Sequence, residues 1–366
     1  MPNLYDRWAD VLTAYSTSVE PGDVVAISGD VPAEPLLRAI HRSALRRGAN
    51  AVLLPSFSES KSDLLRTASD EQLVYISPVE RWLSEEATVT INVLSSNNTR
   101  SLNSIDPSRQ TIWSRARSEL RQTAMQRAAD GSRRWSLTIF PTPAYAQDAD
   151  MATDEFASFL EAACFLDRSD PVAAWQELSQ QQARMIEWLT PRGDLHILAP
   201  GTDLRMSVAG RLWVNSDGKR NFPSGEVFTG PVEDSVEGNV RFSYPVVTDG
   251  REISGIQLRF AAGVVVDASA DKNEAYLIAA LDTDPGARRL GEIAFGTNYG
   301  IGRFTKNILL DEKMGGTMHM ALGAGYPETG STNRSALHWD MICDLRDGGR
   351  ATLDGEVALE DGDYRI

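Results

Sequence analysis

Cysteine is nearly absent from this chain of 366 residues: Cys164 and Cys343 stand far apart, with no Cys-x-x-Cys pair. That excludes a disulfide scaffold and a cysteine-rich zinc site, and it fits a reducing compartment. No apolar run approaches the roughly 18 residues that a membrane helix needs. The amino terminus, MPNLYDRWADVL, places Asp6, Arg7 and Asp10 where a signal peptide requires an apolar core. Basic residues are also in deficit, with 36 Lys and Arg against 51 Asp and Glu, a net charge of −15. Such a balance disfavours nucleic-acid and anionic-membrane partners. The remaining class is a cytoplasmic, acidic enzyme, long enough for two domains with ordinary apolar cores.

Short apolar strands alternate with helical patterns in the first half. Val24–Ser28, Ala51–Leu54, Val89–Leu94 and Trp135–Phe140 are the strands. Between them, residues 33–47 place Leu36, Leu37, Ile40, Ala44 and Leu45 on one helical face, and residues 108–129 carry a long helical pattern. This alternation predicts βαβ units on a parallel sheet. A helix over 171–189 follows, with Trp175, Leu178, Gln182, Met185 and Leu189 in one stripe, Gln182 being its polar interruption. Thr190-Pro191-Arg192-Gly193 breaks that helix, which predicts an α/β domain over 1–192. Beyond it, strands at Leu195–Leu198, Leu204–Val208, Val240–Val247, Ile253–Phe260 and Val264–Ala268 are joined by Gly, Asp and Asn turns, with a helix at Asp271–Leu281. The expectation for 193–366 is a β-rich α+β domain.

Histidine is scarce too. His41 sits among arginines on a helix and reads as a solvated surface residue, whereas His196 lies within a strand and reads as structural. In SALHWDMICDL, His338 and Asp340 are two residues apart in a strand, so both project from one face. Glu226 lies in NFPSGEVFTGP, Glu292 in the otherwise apolar GEIAFGTN, and His319 in GGTMHMALG. A lone Glu or His in such surroundings is expensive to bury without a partner. Five groups of this kind in one domain suggest a shared cation, against the plainer alternative of five unrelated exposed residues. The glycines of GTNYGIG (296–302) read as a turn, since no Lys-Ser/Thr follows them.

Taken together, the blocks NFPSGEVFTGP, GEIAFGTN, DEKMGGTMHMALGAGYP and NRSALHWDMICDL resemble those of the thermophilic-type metalloaminopeptidases, most closely from Gly201 to Leu345, and PGDVVAISGD and FPTPAYAQ extend the likeness into the first half. The resemblance implies two divalent ions (zinc, cobalt, or magnesium or manganese) held by Glu226, Glu292, His319, His338 and Asp340. Glu292 would bridge them, Glu226 and His319 would complete one set, and His338 and Asp340 the other. It implies a catalytic tyrosine at Tyr326, seven residues after His319, together with short peptide substrates and a homodimer. Two departures stand out: Gly225 occupies the place of a usual second glutamate, and the stretch from Tyr326 to His338 is short. The rival reading is a mononuclear non-haem Fe(II) ring-cleaving dioxygenase of the dihydroxypyridine type, with His319, His338 and Asp340 as its triad. Dioxygenases of that kind resemble this block but carry histidine at the 292 position and an apolar residue at 226. Keeping both glutamates favours the hydrolase.

Overall fold

A computed structural model describes residues 3–248 and 251–366. Its chain forms two compact units. One runs to Ala174 and takes in Gly218–Pro223; the other comprises Trp175–Asp217 and Ser224–Ile366.

The first unit is built on a five-stranded parallel sheet in the order Asn50–Ser56, Val24–Asp30, Val89–Leu94, Arg134–Ile139, Asn221–Phe222. Continuous apolar strands such as Val25-Ala26-Ile27 are fully buried, as expected for a parallel sheet covered by helices. Pro55, which the sequence reading treats as a stop, lies inside its strand. That strand is at the sheet edge, where a missing N–H is tolerated. On the helix Glu34–Arg46 the buried positions are Leu36, Leu37, Ala39, Ile40 and Ala44, whereas Leu45 points outward, 49% exposed. The long pattern over 108–129 resolves into two helices, Pro107–Ala116 and Ser118–Ala129, parted at Arg117. Arg117 instead donates to the carbonyls of Leu73, Trp113 and Tyr75.

The second unit packs an eight-stranded antiparallel sheet against a five-stranded one. Leu195, Ile197 and Leu204 from the first share one buried cluster with Ile293, Phe295, Met318, Met320 and Met341 from the second. Two expected strands are each split. Val240–Val247 breaks into Glu237–Arg241 and Val246–Thr248 around Pro245, and Ile253–Phe260 into Arg251–Ile253 and Gln257–Ala261 around Gly255, whose φ is 67°. The helix of this region spans Glu274–Leu281.

The units divide at Ala174/Trp175, not at 192/193 as the sequence reading places the boundary. The reason lies in the helix Pro171–Leu189: its Met185 and Leu189 belong to the core of the second unit. The return of Gly218–Pro223 to the first unit rests on a two-residue strand, too short for any periodicity to reveal. Gln182, the polar member of the stripe, is buried and donates through Nε2 to the backbone carbonyl of Glu226 at 2.9 Å and to Thr297 Oγ1 at 3.0 Å. It ties the helix to the strand that carries a candidate ligand. Gln182→Leu would remove a donor from the buried Glu226 carbonyl and Thr297 hydroxyl and should cost about 1–3 kcal/mol of stability. Denaturant unfolding checks this; an unchanged midpoint at constant m would show that Glu226 carbonyl needs no such partner.

Candidate metal centre

The five-stranded sheet of the second unit runs His338–Asp344, Thr317–Gly323, Leu290–Gly296, Glu226–Thr229, Val214–Ser216, all neighbours antiparallel. Its register brings the candidate residues to one face. Glu226 pairs with Gly296, His319 with Ala294, and His338 with Gly323. Ala321 lies between Glu292 and Asp340, paired with both. Directly opposed residues share a face, so the two histidines and three carboxylates alternate with Ala294, Gly296, Ala321 and Gly323. These small neighbours leave room for large polar groups. At Gly296 the fit is closest: a Cβ there would lie 2.1 Å from the Met314 carbonyl oxygen. The opposite face is Ile293, Phe295, Met318, Met320, Leu322, Trp339 and Met341, all core. Period-two alternation thus separates a polar face from an apolar one on the same strands.

On that face Glu292 stands between the histidines. Its Oε1 is 3.5 Å from His319 Nε2 and its Oε2 is 3.4 Å from His338 Nε2. Glu226 Oε2 is 3.6 Å from His319 Nε2, and Asp340 Oδ1 is 3.6 Å from His338 Nε2 and 3.9 Å from His319 Nε2. Ligand atoms lying within 4.8 Å of one another form three overlapping groups among the described residues. They are Glu226–Glu292–His319, Glu292–His338–Asp340 and Glu312–His319–Asp340. The structure therefore brings together all five residues singled out from the sequence.

Three observations test whether a cation fits. Glu226 Oε2 and Asp340 Oδ1 are buried without a hydrogen-bond partner among the described residues, which is costly for a carboxylate. Both rings are oriented from behind: His319 Nδ1 lies 2.9 Å from the Glu312 carbonyl and His338 Nδ1 lies 2.8 Å from the Ala324 carbonyl. An Nδ1–H donated to each carbonyl leaves Nε2 as the lone-pair atom facing the carboxylates, the usual arrangement behind metal-bound imidazoles. Carboxylate and imidazole are also the donors that divalent transition metals take. The residues fit.

The ring of Tyr326 packs 5.3 Å from that of His338 and 5.4 Å from that of Phe228. Burial and the charges of Glu292, Asp340, Glu312 and Glu226 raise its pKa, so the phenol keeps its proton at neutral pH. The loop behind it is pinned: Glu233 accepts from Thr332 N at 2.6 Å and Thr332 Oγ1 at 3.0 Å, and Arg211 reaches both Glu233 and the Gly330 carbonyl. Partial burial opposes the Glu233 charge, but these hydrogen bonds and Arg211 hold its pKa down at about 2. Gly225 adopts φ 122°, and a Cβ there would lie 2.6 Å from that of Asn298. No side chain can take that place without moving Asn298. His196, as expected of a structural residue, pairs with Asp203 at 2.8 Å, far along the chain from this centre.

Sequence reasoning missed Glu312 and Lys313, which sit beside the centre. Lys313 Nζ is 3.3 Å from Glu226 Oε1 and also contacts the Glu312 carboxylate. The one available signal was a charged Asp-Glu-Lys triplet leading into Met-Gly-Gly, which reads equally well as a solvated turn.

An α/β unit joined to a β-rich unit with a carboxylate–imidazole centre defines a metal-dependent enzyme. Comparison makes the assignment specific. This chain belongs to the thermophilic metalloprotease (M29) family, whose model matches residues 2–364. It is 31% identical to aminopeptidase 2 of Geobacillus stearothermophilus, over 98% of this chain and 94% of that one. With aminopeptidase T of Thermus aquaticus it shares 27% identity, over 98% and 95%. The solved structure of wild-type AmpT from Thermus thermophilus superposes with a TM-score of 0.86 at 25% identity, covering 99% of both chains. A 2,5-dihydroxypyridine dioxygenase from Pseudomonas putida KT2440 matches at TM-score 0.58 and 16% identity. That likeness shows the fold alone. The metalloaminopeptidase expectation and the family agree, and the enzyme is a hydrolase.

Without a cation, protons gather here. Burial raises Glu292 above its ordinary 4.5 and Glu312 to about 8. Burial works against a charged His319, yet hydrogen bonding to Glu292 and the charges of Glu226 and Glu292 lift it from 6.5 to about 10. His338 is raised as well, against its own burial, chiefly by Asp340. Each group binds its proton more tightly folded than unfolded, so each contribution is lost as pH rises: the carboxyls above 4.5, the imidazoles above 6.5 and through about 10. Metal-free protein should lose stability steadily between about pH 5 and 9, and divalent-ion binding at pH 7 should release protons. Calorimetric titration in two buffers of different ionisation enthalpy reads that release. Heats independent of the buffer would show that no protonated ligand is displaced.

Proposed function

We propose that this enzyme removes the N-terminal residue of short peptides at a two-metal centre. The observation that carries the reading is Glu292, whose two oxygens each face a different histidine. Glu226, Glu292 and His319 would hold one ion; Glu292, His338 and Asp340 would hold the other. Zinc, cobalt, or magnesium or manganese suit such donors. Two divalent ions so held lower the pKa of a water and polarise the scissile carbonyl.

The chain's own residues do the rest. The Nδ1–H bonds to Glu312 and Ala324 keep both imidazoles in the tautomer that presents Nε2. Tyr326, protonated and packed against His338, can donate its O–H to the carbonyl oxygen of the substrate as that oxygen gains charge. Burial of the carboxylates lowers the local dielectric, which strengthens each of these interactions. Clustered acid at this face also suits the free α-ammonium of a peptide substrate. Neither cysteine is in a disulfide and both are buried, which supports the reducing, cytoplasmic setting. No helix among the described residues is long and apolar enough to cross a membrane. The homodimer rests on the family resemblance.

Activity on aminoacyl-nitroanilides and on peptides with a free N-terminus tests the reading, with a chelator abolishing it and added cobalt or zinc restoring it. An N-acetylated peptide should remain intact, and its internal cleavage would contradict exopeptidase action. Tyr326→Phe should lower kcat by about 10²–10³-fold while KM and metal content stay near those of the parent. Glu292→Gln should lose metal along with activity. An unchanged kcat in Tyr326→Phe would remove the phenol from the chemistry.

A further inference from the structure

The lysines of the chain are Lys61, Lys219, Lys272, Lys306 and Lys313, and only Lys313 is buried, with no solvent exposure. Burying an ammonium is costly unless it is paired. Its two partners are both acids, and both belong to groups that could hold a metal ion. Nζ is 3.3 Å from Glu226 Oε1 and contacts Glu312 Oε1. The other Glu226 oxygen, Oε2, has no hydrogen-bond partner among the described residues and lies 3.6 Å from His319 Nε2. One short segment therefore acts on both Glu226 and His319. Glu312 fixes the His319 ring through its backbone carbonyl, and Lys313 holds one Glu226 oxygen so that the other points at the ring.

The remaining half of the centre is built differently. Asp340 forms no ion pair with a lysine or arginine among the described residues, and the His338 side chain is 30% exposed where His319 is 1% exposed. We propose that Lys313 is a positioning residue that locks Glu226 with Oε2 free, making the Glu226–His319 position the tighter of the two metal positions.

The proposal rests on the two-metal reading above. Lys313 and Glu312 carry opposite formal charges, so removing both leaves the formal charge beside Glu226 unchanged. Orientation and charge can accordingly be separated. Lys313→Met removes both the lock and one positive charge. The double variant Lys313→Met/Glu312→Gln removes the lock while leaving the formal charge unchanged, and it spares the fold an unpaired buried carboxylate.

Cobalt(II) titration of metal-free protein, followed by calorimetry and by visible absorption of the bound ion, tests the idea on wild type and both variants. Near-UV circular dichroism confirms folding. The lock predicts that the first equivalent of cobalt binds 10- to 100-fold more weakly in both variants, the usual cost of losing a group that orients a metal ligand. Its absorption band should change, while affinity for the second equivalent stays near the wild-type value. If Lys313→Met does not fold, the double variant decides. Wild-type affinity and spectrum in the double variant would overturn the proposal, and so would an equal weakening of both equivalents. Wild-type protein that takes up no cobalt would instead overturn the two-metal reading, and this proposal with it.

Discussion

Like charges held close together inside a protein are the constraint around which the second unit is arranged. Glu226, Glu292 and Asp340 on one sheet face, with Glu312 from the turn beside it, converge on two imidazoles, and among the described residues Lys313 is the lysine paired with them. Carboxylates in a low-dielectric setting repel one another and lose hydration at the same time. The folded chain alone answers this by taking up protons, which is why Glu292, Glu312 and both histidines are raised. Divalent cations answer it better, since each brings two charges and replaces protons on atoms already aimed at it.

Sheet register makes that convergence possible. A one-residue slip in any of the four strands that carry candidate ligands would send its polar group into the core and its Met, Phe or Trp into the site. Burying Ile293, Phe295, Met318, Met320 and Met341 on one side thus fixes the geometry of the acids on the other. Packing energy and site geometry belong to the same strands seen from opposite faces. Gln182 adds a polar anchor behind Glu226, and the Arg211–Glu233 pair holds the loop that carries Tyr326.

Residue patterns picked out the candidate ligands because isolated polar groups in apolar strands are conspicuous. His338 and Asp340 at i and i+2, and Glu292 between Gly291 and Ile293, announce themselves. The bridging arrangement of Glu292 was implied by resemblance only, since strand order cannot be read from spacing. Glu312 and Lys313 escaped notice because adjacent opposite charges at a turn usually face water. The unit boundary was misplaced because a helix stop is visible in sequence, whereas the partner of its apolar stripe is not. Pro55 shows the same limit in reverse: its meaning depended on whether its strand lay at an edge. Pro245 and Gly255, by contrast, were visible breakers within strands that the reading ran through.

The central claim is that one Glu292 carboxylate is shared by two ions. Crystals grown from cobalt- or zinc-loaded protein, with anomalous scattering recorded on both sides of the metal edge, test it directly. Two peaks about 3.5–4 Å apart should flank Glu292, one beside Glu226 and His319 and the other beside His338 and Asp340. A single peak held by His319, His338 and Asp340 with Glu292 outside its ligand sphere would contradict the account.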